Sequence, residues 1–209
     1  MTEKSDIYVY FPVFRRTPRW AELGAREREQ AVAQAQALLE QDGAVRLRGI
    51  YSTAGFRPDA DLMMWWTGPS PDALQARLVA LRRTELGSCL ELTHAFMGVH
   101  RPAEFNPEHV PAFVQGKPPL KYLCVYPFVR TPEWYLLPPA ERAAMLREHG
   151  KLARPFPDVL ANTTSAFGLG DYEWILAFET EDLGRLVDLI RALRAARARR
   201  YVSLETPFV

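Results

Sequence analysis

The side chains that could do chemistry gather in the C-terminal half: the imidazoles of His149 and His109, the phenol of Tyr126 and the guanidinium of Arg130. His149 lies in ERAAMLREHGKL and at helical spacing shares a face with Arg142, Met145 and Leu152. One imidazole on a mostly apolar helix face is what a haem iron needs, because neutral imidazole nitrogen suits iron. A partly buried histidine near a helix end, interacting with the dipole and Gly150, has the same spacing, and spacing alone favours that plainer reading. Strand alternation puts Tyr122, Cys124, Tyr126, Phe128 and Arg130 on one face. Aromatic rings ending in a guanidinium can hold an apolar plate with an acidic edge. An ordinary strand core with Arg130 at its rim gives the same pattern. His109, in FNPEHVPAF, can take a proton near neutrality, although a solvated loop histidine is the simpler reading.

Other candidates carry less. His94 and His100 share strand parity but lack a third ligand and read as structural. Trp65, Trp66 and Trp174 read as core or interface residues. The basic stretch RLVDLIRALRAARARR reads as a solvated face, with Arg199 or Arg200 turned to a carboxylate as the sharper alternative. No GxGxxG, P-loop, GxSxG or HExxH is present, so nucleotide and common hydrolase chemistry have no support.

The elements that must position these groups come in two similar sets. Residues 8–20, YVYFPVFRRTPRW, lie over residues 122–134, YLCVYPFVRTPEW, without a gap. Tyr8/Tyr122, Phe14/Phe128, Arg16/Arg130, Thr17/Thr131, Pro18/Pro132 and Trp20/Trp134 coincide, and the register continues to Glu27/Glu141 and Arg28/Arg142. Within it Tyr126 faces Pro12 and His149 faces Ala35, so the second half alone carries the phenol and the imidazole. Later, DLMMWWTG and its following helix resemble DYEWILAFETED and LGRLVDLIRALRAARARR.

Each half predicts β-α-β-β-α-β. The first has strands at 7–14, 45–51, 62–67 and 92–100, with helices at 26–40 and 73–86, the latter capped by Asp72. The second has strands at 122–129, 161–167, 173–178 and 203–208, with helices at 139–152 and 182–199. This order is the ferredoxin-like unit. The fold class expected is α+β, two tandem ferredoxin-like repeats forming a dimeric α+β barrel within one chain. The halves span 1–100 and 120–209, joined by a linker over 101–119 with five prolines.

Composition agrees with a soluble globular protein: 209 residues, 48% hydrophobic and 24% charged. Lys plus Arg is 26 against 25 for Asp plus Glu, a net charge of +1, which gives no electrostatic case for nucleic acid or an anionic membrane. Cys89 and Cys124 are too few for a disulfide framework and read as buried thiols. No stretch approaches the roughly twenty apolar residues of a membrane span, and MTEKSD lacks an apolar signal core. A cytoplasmic protein is expected.

The run KYLCVYPFVRTPEWYLLPPAERAAMLREHG, followed by DVLANTTSAFGLGDYEWILAFE, closely resembles the coproheme decarboxylases of the chlorite dismutase-like superfamily. EFNPEHVPAF resembles their actinobacterial branch. The resemblance covers nearly the whole chain. It implies a homopentamer of α+β barrels that carries out the last step of coproporphyrin-dependent haem biosynthesis. Hydrogen peroxide would oxidise two propionates of iron coproporphyrin III to vinyl groups through a three-propionate intermediate, giving haem b. The iron porphyrin would be substrate and redox cofactor at once, with a coproporphyrin ferrochelatase as a candidate partner.

By that resemblance His149 matches the iron ligand, Tyr126 the radical-forming tyrosine, and His109, on a distal loop in the linker, the base that deprotonates peroxide. Arg130 matches a propionate contact and Trp134 a pocket tryptophan. Asn162 lies where relatives carry a distal glutamine or arginine, which shifts peroxide chemistry towards His109. Arg199 and Arg200 lie near a propionate-binding arginine. The sequence ends at Pro207-Phe208-Val209, earlier than relatives often do, which implies a shorter porphyrin-side tail. The competing readings are a chlorite dismutase, which needs a distal arginine, a haem carrier, which does not need Tyr126, and a cofactor-free barrel.

Overall fold

The computed structural model describes residues 6–102, 104–105 and 110–209. The chain divides into two compact units, one ending at His100 and the other running from Arg101 to Phe208. Both are α+β with antiparallel strand pairing.

The first unit runs β1 (Tyr8–Arg16), α1 (Pro18–Glu22), α2 (Ala25–Leu39), β2 (Arg46–Arg57), β3 (Ala60–Gly68), α3 (Pro71–Arg82), α4 (Glu85–Ser88) and β4 (Leu90–Val99). Its strand order is β2-β3-β1-β4. Pro18 ends β1, because it has no N–H for the ladder and its fixed φ suits the first helical position. One face of β1 and β3 presents Tyr10, Phe14, Met64 and Trp66, which pack with Ala35 and Leu39 of α2 and Leu74 and Leu81 of α3. The other face is buried too, with Phe11 against Trp65 at 5.0 Å. Trp65 and Trp66 are thus both core residues, one on each face.

Two local features depart from expectation. Helix α3 is capped by Ser70, whose Oγ accepts from Ala73 N–H at 3.2 Å, and not by Asp72. Pro71 takes the first helical position, which moves Asp72 into the first turn. The helix also stops at Arg82, and α4 follows as a separate turn. A Cβ on Gly87 would stand 1.9 Å from the Leu81 carbonyl oxygen, so only glycine allows α4 to fold back this closely. The histidines of this unit include His94, whose Nε2 lies 2.8 Å from Asp59 and whose ring stacks on Phe96.

The second unit runs β5 (Tyr122–Arg130), α5 (Pro132–Leu136), α6 (Pro139–Ala153), β6 (Leu160–Ser165), β7 (Trp174–Thr180), α7 (Leu183–Leu193), a 3-10 turn (Arg197–Tyr201) and β8 (Val202–Leu204). Its strand order, β6-β7-β5-β8, matches that of the first unit. The match extends to single hydrogen bonds. Thr17 N–H donates to Cys89 O and Thr131 N–H to Tyr201 O, both at 2.9 Å. Arg16 N–H donates to Asp61 at 2.8 Å and Arg130 N–H to Glu173 at 2.7 Å.

The helix expected over 182–199 ends at Leu193. Its start is as the sequence implies, with Asp182 accepting from Gly184 N–H at 2.7 Å. Its end is set by tertiary bonds: Arg197 N–H and Nε donate to Glu148, and the freed Ala198 carbonyl accepts from Arg130 Nη1 at 2.9 Å. The last strand is also shorter than expected, ending at Leu204.

Candidate functional site

The site grows from one face of β5. Tyr126 is buried and packs with Phe178 of β7, Val159, and Leu186 and Leu189 of α7. Its ring stacks on Phe178 at 6.0 Å and on Phe208 at 4.2 Å. Burial pushes its phenol pKa up, and Glu205 and Cys124 push the same way against Arg194 and Arg199. The group therefore keeps its hydroxyl hydrogen at neutral pH.

Four residues along the same strand, Arg130 lies over the Trp134 ring, with the guanidinium carbon 4.2 Å from the ring centroid, and 5.0 Å from that of Phe128. Its Nη1 donates to the Ala198 carbonyl. Burial pulls its pKa down to about 10, with Tyr135, Glu173 and Glu205 opposing, so it is a full cation at neutral pH. A stacked, half-buried guanidinium with donors to spare is a strong carboxylate receptor.

Helix α6 brings His149 to these groups. One turn before it, Met145 packs with Trp134 and Ala198. One turn after it, Ala153 packs against the Tyr126 cluster. His149 thus sits on the helix face between the arginine–tryptophan pair and the tyrosine. Burial lowers its pKa, and the Arg130 charge lowers it further. The imidazole is held neutral, with a lone pair to give. Among the described residues no cluster of three His, Cys, Asp or Glu could hold a metal. A single neutral imidazole beside a half-buried guanidinium fits iron whose other ligands come from a macrocycle with carboxylate side chains.

Arg199 joins the cluster from the 3-10 turn. Its Nη2 pairs with Glu205 at 2.8 Å, and Arg194 holds the same carboxylate. Arg200 is exposed on that turn, so the structure brings Arg199, and not Arg200, to Tyr126.

Asn162 is not brought to this face. Cross-strand partners share a face, and Asn162 pairs with Ala177, while Ala161 pairs with Phe178 and Thr163 with Leu176, the partner of Tyr126. Ala161 is the residue that packs against the Tyr126 cluster. Asn162 is buried on the opposite side, where its Nδ2 donates to Ala177 O and Glu179 and its Oδ1 accepts from Phe113 N–H at 3.2 Å. Asn162 thus faces the linker residue Phe113 and not the Tyr126 cluster, because one residue of register decides the side of a strand. His109 lies outside the described residues.

Sequence reasoning passed over Phe208, Glu205, Arg194 and Glu173. None lies in the gapless register; Glu173 emerges only in the fold, where it bonds the Arg130 main chain as Asp61 bonds that of Arg16. It also accepts from the Tyr135 hydroxyl at 2.6 Å.

Comparison with known proteins adds a family to this geometry. The family described as chlorite dismutase matches residues 28–209. A coproheme decarboxylase of Mycolicibacterium smegmatis is 50% identical over 204 residues, which cover 96% of this chain and 87% of that protein. The chlorite dismutase of Candidatus Nitrospira defluvii in complex with imidazole superposes with a TM-score of 0.87 at 27% identity, covering 98% of this chain and 88% of that one. A mutant of that dismutase in complex with cyanide gives 0.89 at 26% identity, covering 100% and 90%.

Proposed function

The chain is an enzyme of the chlorite dismutase family, and from that premise we propose that it oxidatively decarboxylates iron coproporphyrin III with hydrogen peroxide. The observation that carries this reading is the set of His149, Arg130 and Tyr126 on one side of the second unit's sheet, in a chain half-identical to a coproheme decarboxylase.

Each step balances as one propionic acid side chain plus one hydrogen peroxide giving a vinyl group, carbon dioxide and two waters. The side chain loses its carboxyl group and one hydrogen from the carbon next to the ring, and the two electrons reduce the O–O bond. Two such steps give haem b through a three-propionate porphyrin. Iron in the ring supplies the centre at which peroxide is reduced.

The chain's own residues supply placement. His149 gives the iron its protein ligand through the lone pair that burial keeps free. Arg130, fixed by Trp134 and the Ala198 carbonyl, holds a propionate by charge-assisted hydrogen bonds, and Arg199 offers a second guanidinium if the substrate carboxylate replaces Glu205. Tyr126 keeps its O–H, so it can give up a hydrogen atom and take one back from the propionate; position decides which carbon loses it. Ala161 offers no donor on this face, so the reading leaves deprotonation of peroxide to His109. Help from a general base is typically worth about 10²–10⁴ in rate.

The same reading takes the two units as tandem ferredoxin-like repeats of one α+β barrel, assembled as a homopentamer in the cytoplasm, with a coproporphyrin ferrochelatase supplying substrate. Among the described residues no helix is long and apolar enough to cross a membrane. The test is titration of apo protein with ferric coproporphyrin III, then stepwise peroxide with mass analysis of the porphyrin. Loss of two carboxyl groups in sequence is expected. Tight binding with bleaching and no decarboxylated product contradicts the reading and favours a haem carrier.

A further inference from the structure

The first unit holds a cavity of about 430 Å³. Arg16, Trp20 and Ala35 line it. In the duplicated register these are the counterparts of Arg130, Trp134 and His149. The likeness is structural as well: Arg16 is tied through its main-chain N–H to Asp61 as Arg130 is to Glu173. The first unit has therefore kept the cation, the indole and an apolar floor in the places where the second unit carries its candidate site.

Two replacements separate this cavity from the second unit's candidate site. Ala35 gives no metal ligand where the second unit has His149, and Pro12 gives no phenol where it has Tyr126. What remains can bind but has neither group for the redox step. We propose that this cavity is a second, non-catalytic site, and that its ligand is an apolar monocarboxylate smaller than a tetrapyrrole.

Size, surface and spare hydrogen-bond donors each support this. Small-molecule sites run from about 300 to 1,000 Å³, so 430 Å³ is at the compact end. Val32 and Ile50, both lining the cavity, are 37% and 46% exposed. A ligand would take their apolar surface out of water. At the rim, Asp61 occupies only Nη2 of the Arg16 guanidinium, which leaves donors for a second carboxylate. Arg16 and Asp61 are the charged residues of the lining and balance each other, so the preference for an acid rests on the unused donors of Arg16.

The test is calorimetric titration of the intact protein, saturated with ferric coproporphyrin III, with two probes: anthracene-9-carboxylate for a planar acid and dodecanoate for a chain-shaped one. One equivalent of at least one probe is expected to bind, and the stronger probe fixes the shape. The matching neutral compounds, 9-methylanthracene and dodecane-1-ol, should bind at least about tenfold more weakly. Val32→Asp, on the exposed face of α2, should weaken the acid by about tenfold or more and leave coproporphyrin binding unchanged; Arg16→Gln should weaken it similarly. No saturable binding of either acid overturns the proposal. So does equal affinity for the neutral compounds, or binding that Val32→Asp does not alter. Binding seen only without coproporphyrin places the acid in the second unit and also overturns it. None of these outcomes depends on whether the porphyrin is decarboxylated.

Discussion

The ring of Phe208 covers Tyr126, with centroids 4.2 Å apart and planes inclined by 23°. The segment bearing Phe208 is pinned three residues earlier, where Glu205 pairs with Arg199 and Arg194. One short stretch therefore blankets the phenol and occupies the guanidinium groups beside it.

A porphyrin that stacks on Tyr126 and offers a carboxylate to Arg199 must compete with this stretch. Aromatic pairs contribute about 0.5–1.5 kcal/mol beyond their buried area. Phe208→Ala is thus expected to tighten binding of ferric coproporphyrin III by about two- to tenfold, read from absorbance titrations. Weaker binding would instead make Phe208 part of the ligand's wall.

Arg130→Lys keeps a charge but loses the flat fork that lies on Trp134. The stacked contact and the paired carboxylate bonds are together worth roughly 1–3 kcal/mol. Binding of ferric coproporphyrin III should fall by about tenfold or more. Unchanged affinity would remove Arg130 from the substrate site.

Asn162 gives the opposite pattern. Asn162→Ala leaves Phe113 N–H and Glu179 without their amide partner in a buried place. About 1–3 kcal/mol of stability should be lost, seen as a lower unfolding temperature. Porphyrin affinity of the folded variant should stay within about twofold, because the side chain faces away from Tyr126. A large drop in affinity without loss of stability would place Asn162 in the substrate site.

Burial pushes the Cys124 thiol up to about 12 from its ordinary 9.0. The folded chain then holds a proton that the unfolded chain releases as pH rises through about 9. The unfolded state binds fewer protons over that range, so stability falls with rising pH. Denaturant midpoints should decline above pH 9 in the native protein and less in Cys124→Ala. The same burial suppresses the reactive thiolate form of Cys124, and Cys89 is fully buried. Thiol reagents should label neither cysteine until the chain unfolds.

Much of this was legible from residues. The gapless match of YVYFPVFRRTPRW with YLCVYPFVRTPEW identified β1 and β5, the Pro that ends each, and the helices that follow. It also set apart Tyr126 and His149, the positions that change between the halves, while Arg130 followed from strand alternation and Trp134 from the family resemblance. Other features depend on distant partners. The stretch after Leu193 consists of good helix formers, and Glu148 and Arg130 are what draw its main chain into a 3-10 turn. The face that Asn162 takes was not legible either, because one residue of register decides the side of a strand and its partner Phe113 lies far away in the chain. Phe208 and Glu205 gave no periodic signal, since they act from an irregular terminal segment.

The most direct test of the central claim compares the native protein with Tyr126→Phe, each loaded with ferric coproporphyrin III and given peroxide in equivalents. The account predicts that both bind the porphyrin, since the ring is kept, and that only the native protein converts it through the three-propionate species to haem b. A Tyr126→Phe variant that makes haem b at the native rate would contradict it.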